Sequence, residues 1–273
     1  MSLSIAHISD PHFGTEVPEA VLALRAQLLD MQPAMIVLSG DLTQRARPRE
    51  FSAAAKFVQS LSPLPVMVVP GNHDIPLYNY AERMLLPYRR ILREFPDALA
   101  PYCRLPGVEL FGFTSAPYWR HKDGELDPAA VAARLTGQRG SDGFRVAVLH
   151  HPLDCRRPSD ERNVIRDSQA LVATLSAHGV DLTLGGHIHD PLVTVSRNRY
   201  PRTQRSVVLA LAGTCLSHRV RFGAPNSFNW ITLERGPAPR QTLQRWDFGL
   251  DDRFRPVEEH RFERHADRGW VEA

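Results

Sequence analysis

Cysteine is scarce in this chain: Cys103, Cys155 and Cys215 are the only three among 273 residues, and they stand far apart. An odd, dispersed set excludes a disulfide framework or a zinc knuckle and fits reduced thiols. Lysine is scarcer still. Lys56 and Lys122 are the only two, so nearly all of the positive charge is arginine. Arginine suits bidentate phosphate recognition, but a bias spread over the whole chain reflects composition more than one site. Long apolar runs are missing too: no stretch approaches the roughly 18 residues of a membrane span. Met1-Ser2-Leu3-Ser4 runs directly into a strand pattern, without the basic start and apolar stretch of a secretory leader, which makes the cytoplasm the expected location. Charge of one sign is also absent, with 33 basic against 30 acidic residues. From Arg253 to Arg268, Arg and His interleave with Glu258, Glu259, Glu263 and Asp267, which argues against a nucleic-acid patch. Residues 251–273 therefore read as a solvated tail or partner contact behind one globular domain over 1–250.

What is present is a regular alternation. Five short runs rich in branched apolar residues read as strands buried on both faces: Leu3 to Ile8, Met35 to Leu38, Val66 to Val69, Val146 to Leu149 and Val180 to Leu184. Helical spacing lies between them. Val21, Leu24 and Leu28 follow Pro18, Phe51, Ala55 and Val58 follow Pro48, and Leu171 and Leu175 precede a closing Gly179. Strand and helix in alternation predict an α/β fold with parallel strands and right-handed crossovers. Two further strands, Phe228 to Leu233 and Gln241 to Trp246, flank a turn at Gly236-Pro237.

Directly after the five runs come five polar islands: Asp10-Pro11-His12, Gly40-Asp41, Gly71-Asn72-His73-Asp74, His150-His151-Pro152 and Gly186-His187-Ile188-His189. In an open α/β sheet, ligands bind beyond the carboxyl ends of the strands, where every island falls. Carboxylate oxygens, an amide oxygen and imidazoles, with no thiolate, are what two neighbouring divalent ions require. Extended backbone would aim Asp10 with His12, and His187 with His189, to one side. Taken singly, Asp-x-His or Gly-Asp is an ordinary turn, and Gly-Asn-His-Asp an Asn-rich one. It is their joint order at strand ends that carries the reading. His151, adjacent to His150 and pointing oppositely, reads as a packing neighbour, and His7 and His178 as ordinary histidines.

The ordered islands resemble the calcineurin-like metallophosphoesterase superfamily over residues 5–189, continuing through Gly213-Thr214 and Phe228-Asn229-Trp230-Ile231. The Gly-Asn-His-Asp form and a Ser-His-Arg stretch at Ser217 are most similar to bacterial class III cyclic nucleotide phosphodiesterases. The resemblance implies a sandwich of two mixed β-sheets with helices outside. It implies that Asp10, His12 and His189 hold one metal, that Asn72, His150 and His187 hold a second, and that Asp41 bridges them. It further implies that His73 faces the substrate and that Asp74 orients His73. The metals stay open among manganese, iron, zinc and cobalt.

The implied chemistry is hydrolysis of a small-molecule phosphate ester by a metal-bridging hydroxide. A phosphodiester is the expected substrate, cyclic nucleotides the narrower expectation, and a phosphomonoester or nucleotide-linked pyrophosphate the alternative. A non-catalytic binding scaffold fits poorly, because no ligand is missing. Two segments interrupt the core pattern. Residues 76–106, rich in Tyr and Arg and including Tyr78, read either as a cap over the site or as an amphipathic surface helix broken near Pro87. The loop 154–166 offers Arg156 and Arg157 as substrate contacts. Nothing in the sequence specifies an oligomeric state.

Overall fold

A computed structural model describes residues 2–136, 143–221 and 223–273. Among these, strands β1 (Ser2–Ile8), β2 (Met35–Ser39) and β3 (Val66–Val69) run parallel. On the other side of β1, strands β10 (Ser227–Glu234), β11 (Arg240–Phe248), β12 (Phe254–His265) and β13 (Gly269–Glu272) continue the same sheet antiparallel, in the order β13-β12-β11-β10-β1-β2-β3. A second sheet is ordered β4-β5-β6-β7-β9-β8. Its middle is parallel: β5 (Val108–Phe113), β6 (Phe144–Leu149), β7 (Leu182–Gly185) and β9 (Val208–Leu211). The edges, β4 (Tyr102–Leu105) and β8 (Leu192–Val195), are antiparallel.

The continuous apolar runs follow from this layering. In β2, Met35 and Val37 point inward to meet Val146, Val148 and Leu184 of the other sheet. Ile36 and Leu38 point outward, beneath α1 (Pro18–Met31) and α2 (Pro48–Ser60), where they meet Leu24, Leu28 and Phe51. Both faces are covered, so neither can be polar. On the far side, α5 (Pro128–Thr136) and α6 (Ser168–Ala177) pack Val131, Leu135, Leu171 and Leu175 over Phe111, Ala147 and Leu149. Proline opens α1 and α2 where its missing N–H costs nothing, and Gly179 follows α6 at φ 71°. The α/β sandwich of two mixed sheets is the expected architecture.

One expectation needs correction. Residues 251–273 are not a solvated tail: β12 and β13 widen the first sheet. The mixed charges stand on the exposed face, where they pair between strands, Arg240 with Glu263 at 2.9 Å and Arg245 with Glu258 at 2.7 Å. Phe254, Phe262 and Trp270 are buried beneath them. The break near Pro87 is present, between α3 (Tyr80–Leu85) and α4 (Arg89–Glu94). However, Ile91 and Ala98 join the core under the first sheet's helices, so the segment 76–106 is partly structural and only its start borders the site.

Candidate metal centre

All five islands arrive at one place, the carboxyl ends of β1, β2 and β3 from one sheet and of β6 and β7 from the other. Three donor groups form there. The ligand atoms of Asp10, His12 and His189 lie within 4.8 Å of one another, as do those of Asp41, His150 and His187, and those of His12, Asp41 and His73. Asp41 touches both sides: Oδ2 is 3.7 Å from His12 Nε2 and Oδ1 is 3.4 Å from His150 Nε2. His189 Nε2 approaches Asp10 Oδ1 at 3.2 Å.

The residues converge by a different route from the expected one. Asp10, His12, Asp41, His187 and His189 are not extended but left-handed, with φ from 46° to 74°. Each such residue costs roughly 1–3 kcal/mol and persists only where its surroundings enforce it. Enforcement is visible. His150 Nδ1 donates to the Ser39 carbonyl at 2.8 Å and His189 Nδ1 to the Arg219 carbonyl at 2.8 Å, which turns each Nε2 into the centre. The Asp10 carboxylate accepts from Ser9 Oγ at 2.6 Å and from the His187 amide at 3.0 Å. Glycine is required at two contacts: a Cβ on Gly71 would lie 2.1 Å from Asp41 Oδ1, and one on Gly186 2.2 Å from Asp10 Oδ2.

Electrostatics points the same way. Burial alone would raise the Asp10 and Asp41 carboxyls, but the surrounding imidazoles outweigh it and hold both below the ordinary carboxylate range. Burial opposes protonation of His150, yet Asp41 beside it pushes the ring up to about 9. His12 and His187 are driven well below their usual value, chiefly by burial. A cluster of buried carboxylates and imidazoles that compete for protons is a site made for cations. Among the buried atoms without a hydrogen-bond partner, two stand at this site: Asn72 Oδ1, and His150 Nε2, which only faces Asp41 Oδ1 across 3.4 Å. Buried polar atoms are ordinarily satisfied, so both orphans fit divalent metals held by this donor set.

Two role assignments change. Asp74 does not orient His73. Its carboxylate accepts from the amides of Leu42 (3.1 Å), Thr43 (2.9 Å) and Gly71 (2.9 Å) and from Thr43 Oγ1 (2.9 Å), tying the loop of Asp41 to the loop of Asn72. Burial, reinforced by Asp41, pushes Asp74 up to about 7. The His73 ring is set instead by Nδ1 donating to the Gln44 carbonyl at 2.7 Å. Arg156 and Arg157 turn toward Asp190, with Nε at 4.0 and 3.1 Å, instead of bordering the cavity. Their loop contributes Asn163 in their place. His151 is a neighbour as expected: Nδ1 meets Ser115 Oγ and Nε2 the Lys122 carbonyl. His7 lies between Ser39 and Asn229.

Over the centre opens a cavity of about 330 Å³ bordered by Asp41, Asn72, His73, His187 and His189. Arg219 is the residue that reading by motif passes over. Its guanidinium is 3.3 Å from His73 Nε2 and 3.1 Å from Gln44 Oε1, and it also reaches the His12 ring. The signal was the Ser-His-Arg stretch itself, whose arginine this is. Tyr78 does not itself border the cavity; it is hydrogen-bonded to Arg45, which does and whose guanidinium lies 5.4 Å from the Tyr78 ring centre.

The model of the calcineurin-like phosphoesterase family matches residues 3–191. The chain belongs to that family. It is a metallophosphoesterase. It is similar to a probable cyclic nucleotide phosphodiesterase of Synechococcus sp., 25% identical over 71% of this chain and 76% of the relative. A second, from Pseudoalteromonas sp., is 26% identical over 69% and 72%. A glycerophosphodiester phosphodiesterase of Enterobacter lignolyticus is 31% identical over a shorter stretch, 26% of this chain and 29% of that one. Among solved structures, a dimetal phosphatase from Danio rerio superposes with a TM-score of 0.62 at 13% identity, covering 95% of this chain and 98% of that one. A purple acid phosphatase from yellow lupin gives 0.69 at 10%, covering 96% of this chain and 53% of that one. Both likenesses concern the fold. No helix among the described residues is long and apolar enough to cross a membrane.

Proposed function

We propose that the protein is a phosphodiesterase, with Asp10, His12 and His189 holding one divalent ion, Asn72, His150 and His187 a second, and Asp41 shared between them. The observation that carries this reading is Asp41 placed between two donor groups, 3.7 Å from His12 and 3.4 Å from His150, with Asn72 Oδ1 buried and without a hydrogen-bond partner. Two bound ions would polarise the phosphoryl group and activate a water. Manganese, iron, zinc and cobalt all suit the ligands. His73, fixed through Gln44, is placed to give a proton to the leaving alkoxide, and Arg219 alongside can donate to a phosphoryl oxygen. Arg45 and Lys122 add positive charge at the cavity, which suits an anionic ester. Tyr78 would act on the substrate only indirectly, by holding Arg45. The start of segment 76–106, from which Leu77 and Arg83 border the cavity, serves as a partial cap.

Diesters are favoured over monoesters for a chemical reason. A monoester dianion binds such a cationic centre tightly in the ground state, which lowers KM without speeding the chemical step. A diester gains more from a proton donor at its alkoxide. Cyclic nucleotides are the narrower reading, supported by the names of two relatives. The test is kcat/KM for bis-p-nitrophenyl phosphate against p-nitrophenyl phosphate with the same metal. Higher kcat/KM for the diester is expected, and clear preference for the monoester would overturn the proposal in favour of a phosphatase.

A further inference from the structure

Helix α3 is turned inside out. It buries its charged residues, Glu82 and Arg83, and leaves Tyr80 and Leu85 more than 70% exposed. Twelve large apolar side chains are exposed among the described residues, and six of them fall between 77 and 86. The inversion has an identifiable cause. Glu82 is held by Arg89 and Arg90, and the Arg83 guanidinium donates to the carbonyls of Pro76 and Arg120. Arg83 thereby clasps this segment to the loop that carries Trp119, 58% exposed. Leu77 and Arg83 on one side of the clasp, and His121 and Lys122 on the other, border the catalytic cavity. Through Leu77, Arg83, His121 and Lys122 the two exposed apolar segments adjoin a cavity whose lining, among the described residues, holds the cations Arg45, Arg83, Lys122, Arg219 and Arg221 and one carboxylate, Asp41, which belongs to the metal centre.

We propose, resting on the phosphodiesterase reading, that the substrate is an amphiphilic phosphodiester whose apolar chain lies on the collar of Leu77, Tyr80, Met84 and Trp119 while its phosphate enters the cavity. Contiguous exposed apolar surface marks a binding site, and the order here, cationic within and apolar at the mouth, is that of an anionic head and an apolar tail. A protein covering the same collar would close the cavity to substrate, which the substrate's own chain does not.

The test compares p-nitrophenyl methyl phosphate with p-nitrophenyl decyl phosphate, both as monomers, on metal-loaded protein. A methylene fully withdrawn from water is worth about fourfold, so even partial burial of the decyl chain should raise kcat/KM roughly tenfold or more. Tyr80→Ser in α3 and Trp119→Ser in the loop across the clasp should each pull the ratio toward one while leaving the methyl ester rate unchanged. Equal kcat/KM for the two esters in the native protein overturns the proposal, as does a ratio untouched by both variants. So does a dimer seen by light scattering that both variants abolish, because the collar then belongs to a second copy. If neither ester is cleaved, the diesterase reading fails separately. Calorimetry of decylphosphonate against methylphosphonate, which needs no turnover, then decides the collar alone: tighter decyl binding supports it and equal binding rejects it.

Discussion

Asp41 and Asp181 are both buried carboxylates, at opposite ends of the strands, and they are treated in opposite ways. Asp181, just before β7, is satisfied by the protein: its carboxylate accepts from the Arg145 amide at 2.8 Å and from the Trp270 indole at 2.9 Å, and Arg264 lies at 3.5 Å. Asp41, just after β2, accepts from one amide, that of His73 at 2.8 Å, and otherwise faces the imidazoles of His150 at 3.4 Å and His12 at 3.7 Å. Its backbone is left-handed. Burial alone therefore does not mark a working group. Burial with acceptor capacity left facing imidazoles does, because the fold could have supplied further hydrogen bonds there, as it does at Asp181.

The contrast breaks most visibly at Asp41 itself. Asp41→Ala should lose metal and turnover together; two ions per chain retained by elemental analysis would remove Asp41 from its shared position. His73→Ala should keep both ions and lower kcat by roughly 10²- to 10⁴-fold. Loss of an ion would instead make His73 a ligand, which its place beside His12 and Asp41 allows. Asp74→Asn puts an amide against donors that tie the two ligand loops, and should weaken metal affinity about 10- to 100-fold in a chelator competition. An unchanged affinity would show that the loops hold without it.

Asp181→Asn should leave metal content and kcat alone and act on stability. Burial, outweighing its hydrogen bonds, raises the Asp181 carboxyl above its ordinary range. The native state then binds more protons than the unfolded one in that window, so this group's contribution falls as pH rises above about 4. The variant lacks that slope. Its deficit in denaturant unfolding should be roughly 1–3 kcal/mol near pH 4 and should shrink toward neutrality; a deficit that grows with pH would reverse the assignment.

Much of this was legible in the sequence because strand ends are marked by composition. Branched apolar runs stop where Asp10, Asp41, Asn72, His150 and His187 begin, and that edge is the site. Less legible was whatever depends on contacts between distant segments. Asp74 beside His73 in sequence suggests an orienting pair, but Asp74 faces Leu42 and Thr43, more than thirty positions away. Arg156 and Arg157 are near His150 in sequence, yet Asp190 claims them. The alternating Arg and Glu of 254–265 look solvated until the partner strand supplies the opposite charges.

Trp270 stacks on Phe144 of the other sheet, with ring centres 5.6 Å apart, and Gly269 bridges to Ser206. The last strand is thus a fastener between the two sheets, and this gives synthesis an order. A nascent chain that has passed residue 189 already holds all seven donors, while the sheet bearing Asp10, Asp41 and Asn72 is only three strands wide until residue 227 and those after it emerge. That fastener is made after the donors, and a chain interrupted between residues 189 and 269 would carry all seven donors without the Trp270–Phe144 contact between the sheets.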